Sequence, residues 1–174
     1  MISHITYDER DVLVVDSVAG NDAFGTSLFL NDALVFVVKP EREGIAVMER
    51  FLKLAEQTGV AERVLVVGNL ASHPAQVEFL QREVPADKLL GVLPSNETVM
   101  QRRLDGQLLG MESVGEAEAA LFKKLLTRCQ ELQRSLADRH TALLELHKKV
   151  ADRPWVAGSY RTGLADQIDE AYRP

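Results

Sequence analysis

Four short runs rich in valine and leucine most constrain what this chain can become: residues 12–15, 33–38, 64–67 and 89–93. None alternates polar with apolar side chains. That absence marks strands covered on both faces, as in a parallel sheet, because a half-exposed strand would show a period of two. Helical patterns separate several of the runs. Ile45, Met48, Phe51, Leu52 and Ala55 recur at three- and four-residue steps, which gathers them on one helical face. Pro74 suits the first turn of a second helix carrying Val77 and Leu80. Asn96, followed by Glu97, opens a third, with an acidic residue at the positive helix end. Strands alternating with helices define an α/β class with right-handed crossovers.

After Gly110 the pattern changes. Between Gly115 and Val150 there is neither glycine nor proline, and Phe122, Leu125, Cys129, Leu132, Leu136, Leu143, Leu146 and Val150 form an a/d-like seam interrupted at Arg139. A long helix or helical hairpin is expected over residues 111–150, packed on its own sheet or shared between chains. His140 and His147 lie seven apart beside the seam. A metal pair on one helix wants a spacing of three or four, so both read as solvated flank positions. Residues 151–174 carry Pro154, Gly158 and Gly163 with no sustained period, the pattern of a loosely structured tail.

Composition narrows the partners. The net charge of -6 argues against nucleic acid or an anionic membrane as the main partner, since both require clustered positive charge. Cys129 is the single cysteine, so no intrachain disulfide and no multi-cysteine zinc site can form. No run approaches the roughly 20 apolar residues of a membrane span, and the first ten residues hold no apolar core of signal-peptide length. A cytoplasmic protein is the expectation.

The local signal closest to chemistry is Asp16-Ser17-Val18-Ala19-Gly20, directly after the first apolar run. Open α/β sheets place ligands at the carboxyl ends of their strands. An aspartate there can hold Mg²⁺ through water. Gly20 lets a main-chain N–H approach a terminal phosphate. The same residues also serve as turn or helix-cap positions with no ligand.

These residues resemble the D-[ST]-x-A-G segment of MinD/ParA-type ATPases, and the later segments of the chain keep that family's order. Ala33-Leu34-Val35-Phe36-Val37-Val38-Lys39-Pro40 is similar to its next strand. Val64-Leu65-Val66-Val67-Gly68-Asn69 is similar to the strand ending in an adenine-contacting asparagine. Gly91-Val92-Leu93-Pro94-Ser95-Asn96-Glu97-Thr98-Val99 resembles the segment G-x-[IL]-P-x-[DN]-x-x-V near the base. Arg103-Leu104-Asp105-Gly106-Gln107 matches the closing helix and glycine turn. The branch most similar in character is the one serving carbon monoxide dehydrogenase maturation. The resemblance spans residues 7–110 and implies a partial, Rossmann-like P-loop NTPase domain over residues 1–110. It implies Asp16 on the magnesium side, Gly20 at the phosphate, and Asn69, Pro94 and Asn96 around the base, with ATP and Mg²⁺ as the ligands.

One departure carries weight. No G-K-G-G-x-G-K-T or other Walker-A sequence occurs in the 174 residues. Without that loop of N–H groups and its lysine, charge developing on the phosphates has no preorganised partner. Autonomous ATP hydrolysis is therefore not expected, and no catalytic residue is assigned. The expectation is a binding or regulatory module, homodimeric or completed by a partner chain that supplies the N-terminal half. The alternative is a nucleotide-independent α/β scaffold that assembles through its C-terminal helix.

Overall fold

A computed structural model describes residues 12–17 and 31–151. It divides into two units, Asp32–Gln133 and a second made of Met1–Asn31 with Arg134–Pro174. The first unit holds a three-stranded sheet, β1 (Leu34–Val38), β2 (Val64–Ala71) and β3 (Leu89–Pro94), in the order β1-β2-β3. Both pairings are parallel, with Leu34 opposite Val64, Val38 opposite Gly68, and Val67 opposite Gly91. Four helices accompany it: α1 (Arg42–Thr58), α2 (Pro74–Glu83), α3 (Glu97–Leu104) and α4 (Glu116–Glu131). The α/β class expected from the non-alternating runs is what forms.

α1 buries Ile45, Met48, Phe51 and Ala55, the stripe that the helical period sets on one face. It stops at Gly59, whose left-handed backbone (φ 74°) lets its N–H reach Glu56 O while Val60 N–H reaches Ala55 O. That double closure satisfies carbonyls the helix end would leave unpaired, and the buried Val60 seals it with an apolar contact. β2 is the central strand. Val64, Leu65, Val66 and Val67 are all buried, which explains why its sequence shows no alternation.

Two glycines show how the layers stack. A Cβ on Gly68 would meet Leu80 of α2 at 2.6 Å, and one on Gly91 would meet Leu121 of α4 at 2.9 Å. Gly68 pairs with Val92 and Gly91 with Val67, so the two glycines look to opposite faces of the sheet. α2 therefore covers one face and α4 the other. α1 lies with α2, because Phe36, aligned with Val66, meets Phe51 at 5.0 Å between ring centroids. On the α4 side, β1 presents Val35 and Val37, which are 41% and 56% exposed.

One expectation changes and another narrows. Residues 12–15 do not form a strand: residues 12–17 adopt no regular secondary structure, and Val12 and Val14 are 62% and 86% exposed. An apolar run becomes a strand only when a neighbour supplies its ladder, and no described strand pairs with this one. Of the long helix or helical hairpin expected over residues 111–150, the single unbroken helix is not what forms. α4 ends at Glu131 and α5 (Leu136–Ala151) begins after a break at the boundary between the two units. Ser135 makes the restart, its Oγ accepting from Asp138 N–H at 3.1 Å and donating to Asp138 Oδ2 at 2.6 Å. α4 turns Glu118 and Leu121 inward and leaves Phe122, a seam position, 40% exposed.

Candidate functional site

The carboxyl ends of β2 and β3 bring three of the sequence-derived residues to one edge. Ala71 pairs with Pro94, and Ser95 N–H donates to Ala71 O at 3.1 Å. Asn69 lies two residues before Ala71, and Asn96 two residues after Pro94. Asp16 belongs to the other unit, where it is exposed in a stretch without regular secondary structure. Gly20 lies outside the described residues.

Asn69 sits at an irregular step in β2, where the register with β3 shifts between Gly68 and Ala71. Its Oδ1 accepts from Leu70 N–H at 2.9 Å. Leu70 adopts φ 61°, the left-handed region that a leucine enters at a cost of roughly 1–2 kcal/mol. The Asn69 Nδ2 donors have no partner among the described residues. A carboxamide thus stands at the strand end with its oxygen tethered and its two donors open.

Asn96 is differently placed. As the cap of α3 its Oδ1 accepts from Val99 N–H at 3.0 Å. Its Nδ2 donates to Ser113 O at 3.1 Å and to Glu118 Oε1 at 2.9 Å. Both donors and one acceptor position are engaged in holding the β3–α3 turn to the start of α4. Pro94, the last residue of β3, is exposed.

Glu118, absent from the candidates that the motifs supplied, completes this junction. It is 8% exposed, and its carboxylate accepts from Asn96 Nδ2 and from Gly115 N–H. Those two bonds, the Asn96 one foremost, hold its carboxyl below the ordinary value of 4.5. The signal was present as a glycine followed three residues later by glutamate at a helix start, which is the spacing of a capping box.

Beside this edge lies a shallow open depression lined by Ala71, Ser72, His73, Pro74, Val77 and Glu78. Gln76 Oε1 fixes two of the lining residues, accepting from Ser72 N–H at 2.6 Å and His73 N–H at 3.2 Å. No group of three or more His, Cys, Asp or Glu side chains converges as metal ligands among the described residues. No described helix is long and apolar enough to cross a membrane.

The arrangement is a partial Rossmann-like edge: a parallel α/β sheet with an open carboxamide at the carboxyl end of its central strand. The chain is similar to an uncharacterized ATP-binding protein of Methanocaldococcus jannaschii, 25% identical over 105 residues, which cover 60% of this chain. The chain spans about two-fifths of that relative's length, 41%. No protein-family profile matches the chain. No solved structure matches it.

Proposed function

We propose that the unit Asp32–Gln133 is the base-side part of an ATP-binding fold of MinD/ParA type, a nucleotide-responsive binding or regulatory module. The observation that carries this reading is the Asn69 carboxamide. Adenine presents an N6 donor beside an N7 acceptor, and a carboxamide answers both at once. Asn69 Nδ2 is open to donate, and Oδ1 keeps a second lone pair beside the one that Leu70 N–H uses. The exposed Leu70 and Pro94 flank it with apolar surface for the flat ring. The similarity to an ATP-binding protein supports the same ligand class.

ATP supplies a transferable phosphoryl group when bound with Mg²⁺. The resemblance alone assigns Asp16 and Gly20 to the phosphate side, and in this reading a second copy or a partner chain brings the phosphate loop that the 174 residues lack. Asn96 fits this role poorly as a base contact, because its amide donors already hold Ser113 and Glu118. Its part is to position the β3–α3 turn. Maturation of a metal centre, as in the carbon monoxide dehydrogenase branch, is the service to which the resemblance points.

The experiment is a titration of the labelled chain with Mg-ATP followed by NMR. Binding no tighter than about millimolar is expected, corresponding to roughly 4 kcal/mol. Shifts should cluster at residues 69–72 and 94–96, appear with adenosine but not guanosine nucleotides, and vanish in Asn69→Ala. The engagement of Asn96 inside the fold favours one rival, an α/β scaffold that binds no nucleotide. Absence of adenine-dependent shifts at millimolar ATP would decide for that rival.

A further inference from the structure

Strand β1 is an outer strand of the sheet among the described residues, and within its five residues it carries no charge, proline or bulge. Natural sheets blunt their edges with proline, inward charge, bulges or short, twisted strands. Leu34-Val35-Phe36-Val37-Val38 has no charge and no proline, and its pairing to β2 is regular from end to end. Its α4-side face shows Val35 and Val37 substantially open to solvent.

We propose that β1 is a self-association edge, pairing antiparallel with β1 of a second copy about a two-fold axis through Phe36. Such an axis demands a strand that is complementary to its own reverse. β1 reads nearly the same in both directions around Phe36, with valines flanking it and branched aliphatic residues at each end. Pairing Phe36 with its own counterpart sets Val35 opposite the partner's Val37, twice over. Cross-strand pairs of β-branched residues are the unit that stabilises such ladders. Charge agrees at both ends, because Asp32 precedes the strand and Lys39 comes directly after it. Antiparallel pairing brings the Asp32 end of one copy beside the Lys39 end of the other, whereas parallel pairing would set like charges together. Two three-stranded sheets would become one of six strands, with the exposed valines covered on a shared face. This inference stands apart from the nucleotide reading, since it uses no residue of the β2–β3 edge.

Two measurements test it, both on the full chain. In a Cys129→Ser background, Val35→Cys and Val37→Cys chains are oxidised separately and then mixed. Directly opposite residues on antiparallel strands have Cα atoms roughly 4.5–5.5 Å apart, within disulfide reach, whereas diagonal neighbours are near 7–8 Å. A disulfide-linked dimer formed chiefly in the mixture is the expected result. Equal or greater linking in either single variant would overturn the register, and no linking would overturn the interface. Light scattering gives the second measurement. The unmodified chain should be dimeric at tens of micromolar, and Val37→Lys should be monomeric with its melting temperature nearly unchanged. A monomeric unmodified chain would overturn the proposal, and hydrogen exchange would then reveal whether another segment of the polypeptide protects the β1 amides. A dimer indifferent to Val37→Lys would overturn it as well.

Discussion

Asn96 Nδ2 donates to Glu118 Oε1 at 2.9 Å, joining the cap of one helix to the first turn of another. The same amide reaches Ser113 O, and the same carboxylate takes Gly115 N–H, so one asparagine and one glutamate organise a junction of three segments. This junction makes stability depend on pH. A carboxyl whose folded pKa is depressed contributes stability above its unfolded value, and that contribution is lost as pH falls through the folded pKa. For Glu118 the contribution is complete above about pH 4.5 and fades below it. Thermal melts between pH 7 and pH 3 should show a smaller acid loss in Glu118→Gln than in the unmodified chain. Asn96→Ala should remove about 1 kcal/mol for the cap alone, with a further loss for the abandoned Glu118 and Ser113. Asn96→Asp keeps the cap acceptor but sets two carboxylates together, so its stability should recover partly as the pH is lowered toward 4.

Gly91 and Leu121 make the closest approach of α4 to the sheet. A methyl at Gly91 would press on Leu121 Cδ1 at 2.9 Å and Cδ2 at 3.3 Å. Lys124 Nζ, one turn further along, donates to Leu90 O at 2.8 Å and resists sliding of the helix. Gly91→Ala should destabilise by about 1–3 kcal/mol, the usual range for an overfilled contact. Leu121→Val in the same chain should return part of that loss, since the two sites share one volume. A denaturation cycle in urea over the four variants measures the coupling, and strictly additive effects would show that α4 does not pack through this pair.

Much of this architecture was legible because burial on two faces erases alternation. The runs at 33–38, 64–67 and 89–93 all contribute strands, and β2 is the one that shows the effect in full, with five residues buried in succession, whereas β1 leaves Val35 and Val37 open on one face. The run at 12–15 looks identical by composition and differs only in having no described ladder partner, which pattern alone does not reveal. The leucine seam across 115–150 masked a stop signal within it. Ser135-Leu136-Ala137-Asp138 is the serine-to-acid spacing that starts a helix, and the chain restarts there. Asn69 was found through its motif, but its tether to a left-handed leucine had no sequence signature, since leucine carries no preference for that backbone. Asn96 announces itself equally as a cap and as a base contact, and only the distances to Val99, Ser113 and Glu118 separate the two.

Asp16 is exposed in a segment without regular secondary structure. Removing its charge should therefore leave stability within about 0.5 kcal/mol, as for surface positions without fixed partners. Calorimetric melts of Asp16→Asn without ligand are the check. A larger loss would mean that Asp16 supports the fold, which would withdraw it from the phosphate-side role.

Leu70 supplies the most specific test of how the β2 edge is built. Its φ of 61° places a branched side chain where only glycine, and less readily asparagine, rests without strain. Leu70→Gly removes roughly 1–2 kcal/mol of backbone strain. Glycine also loosens the unfolded chain, which costs about 0.5–1 kcal/mol, and the half-exposed leucine forfeits some contact. The balance should leave Leu70→Gly at least as stable as the unmodified chain. Leu70→Asn should fall near it, and Leu70→Val should be less stable because β-branching crowds this backbone most. Chemical denaturation of the three variants gives the order. The functional consequence should run the other way. A freer residue 70 holds its N–H less firmly against Asn69 Oδ1, so the carboxamide loses its fixed orientation. Leu70→Gly is thus expected to melt no lower yet to weaken the adenine-dependent shifts several-fold. If it melts well below the unmodified chain, the left-handed leucine is supported by its surroundings rather than strained against them.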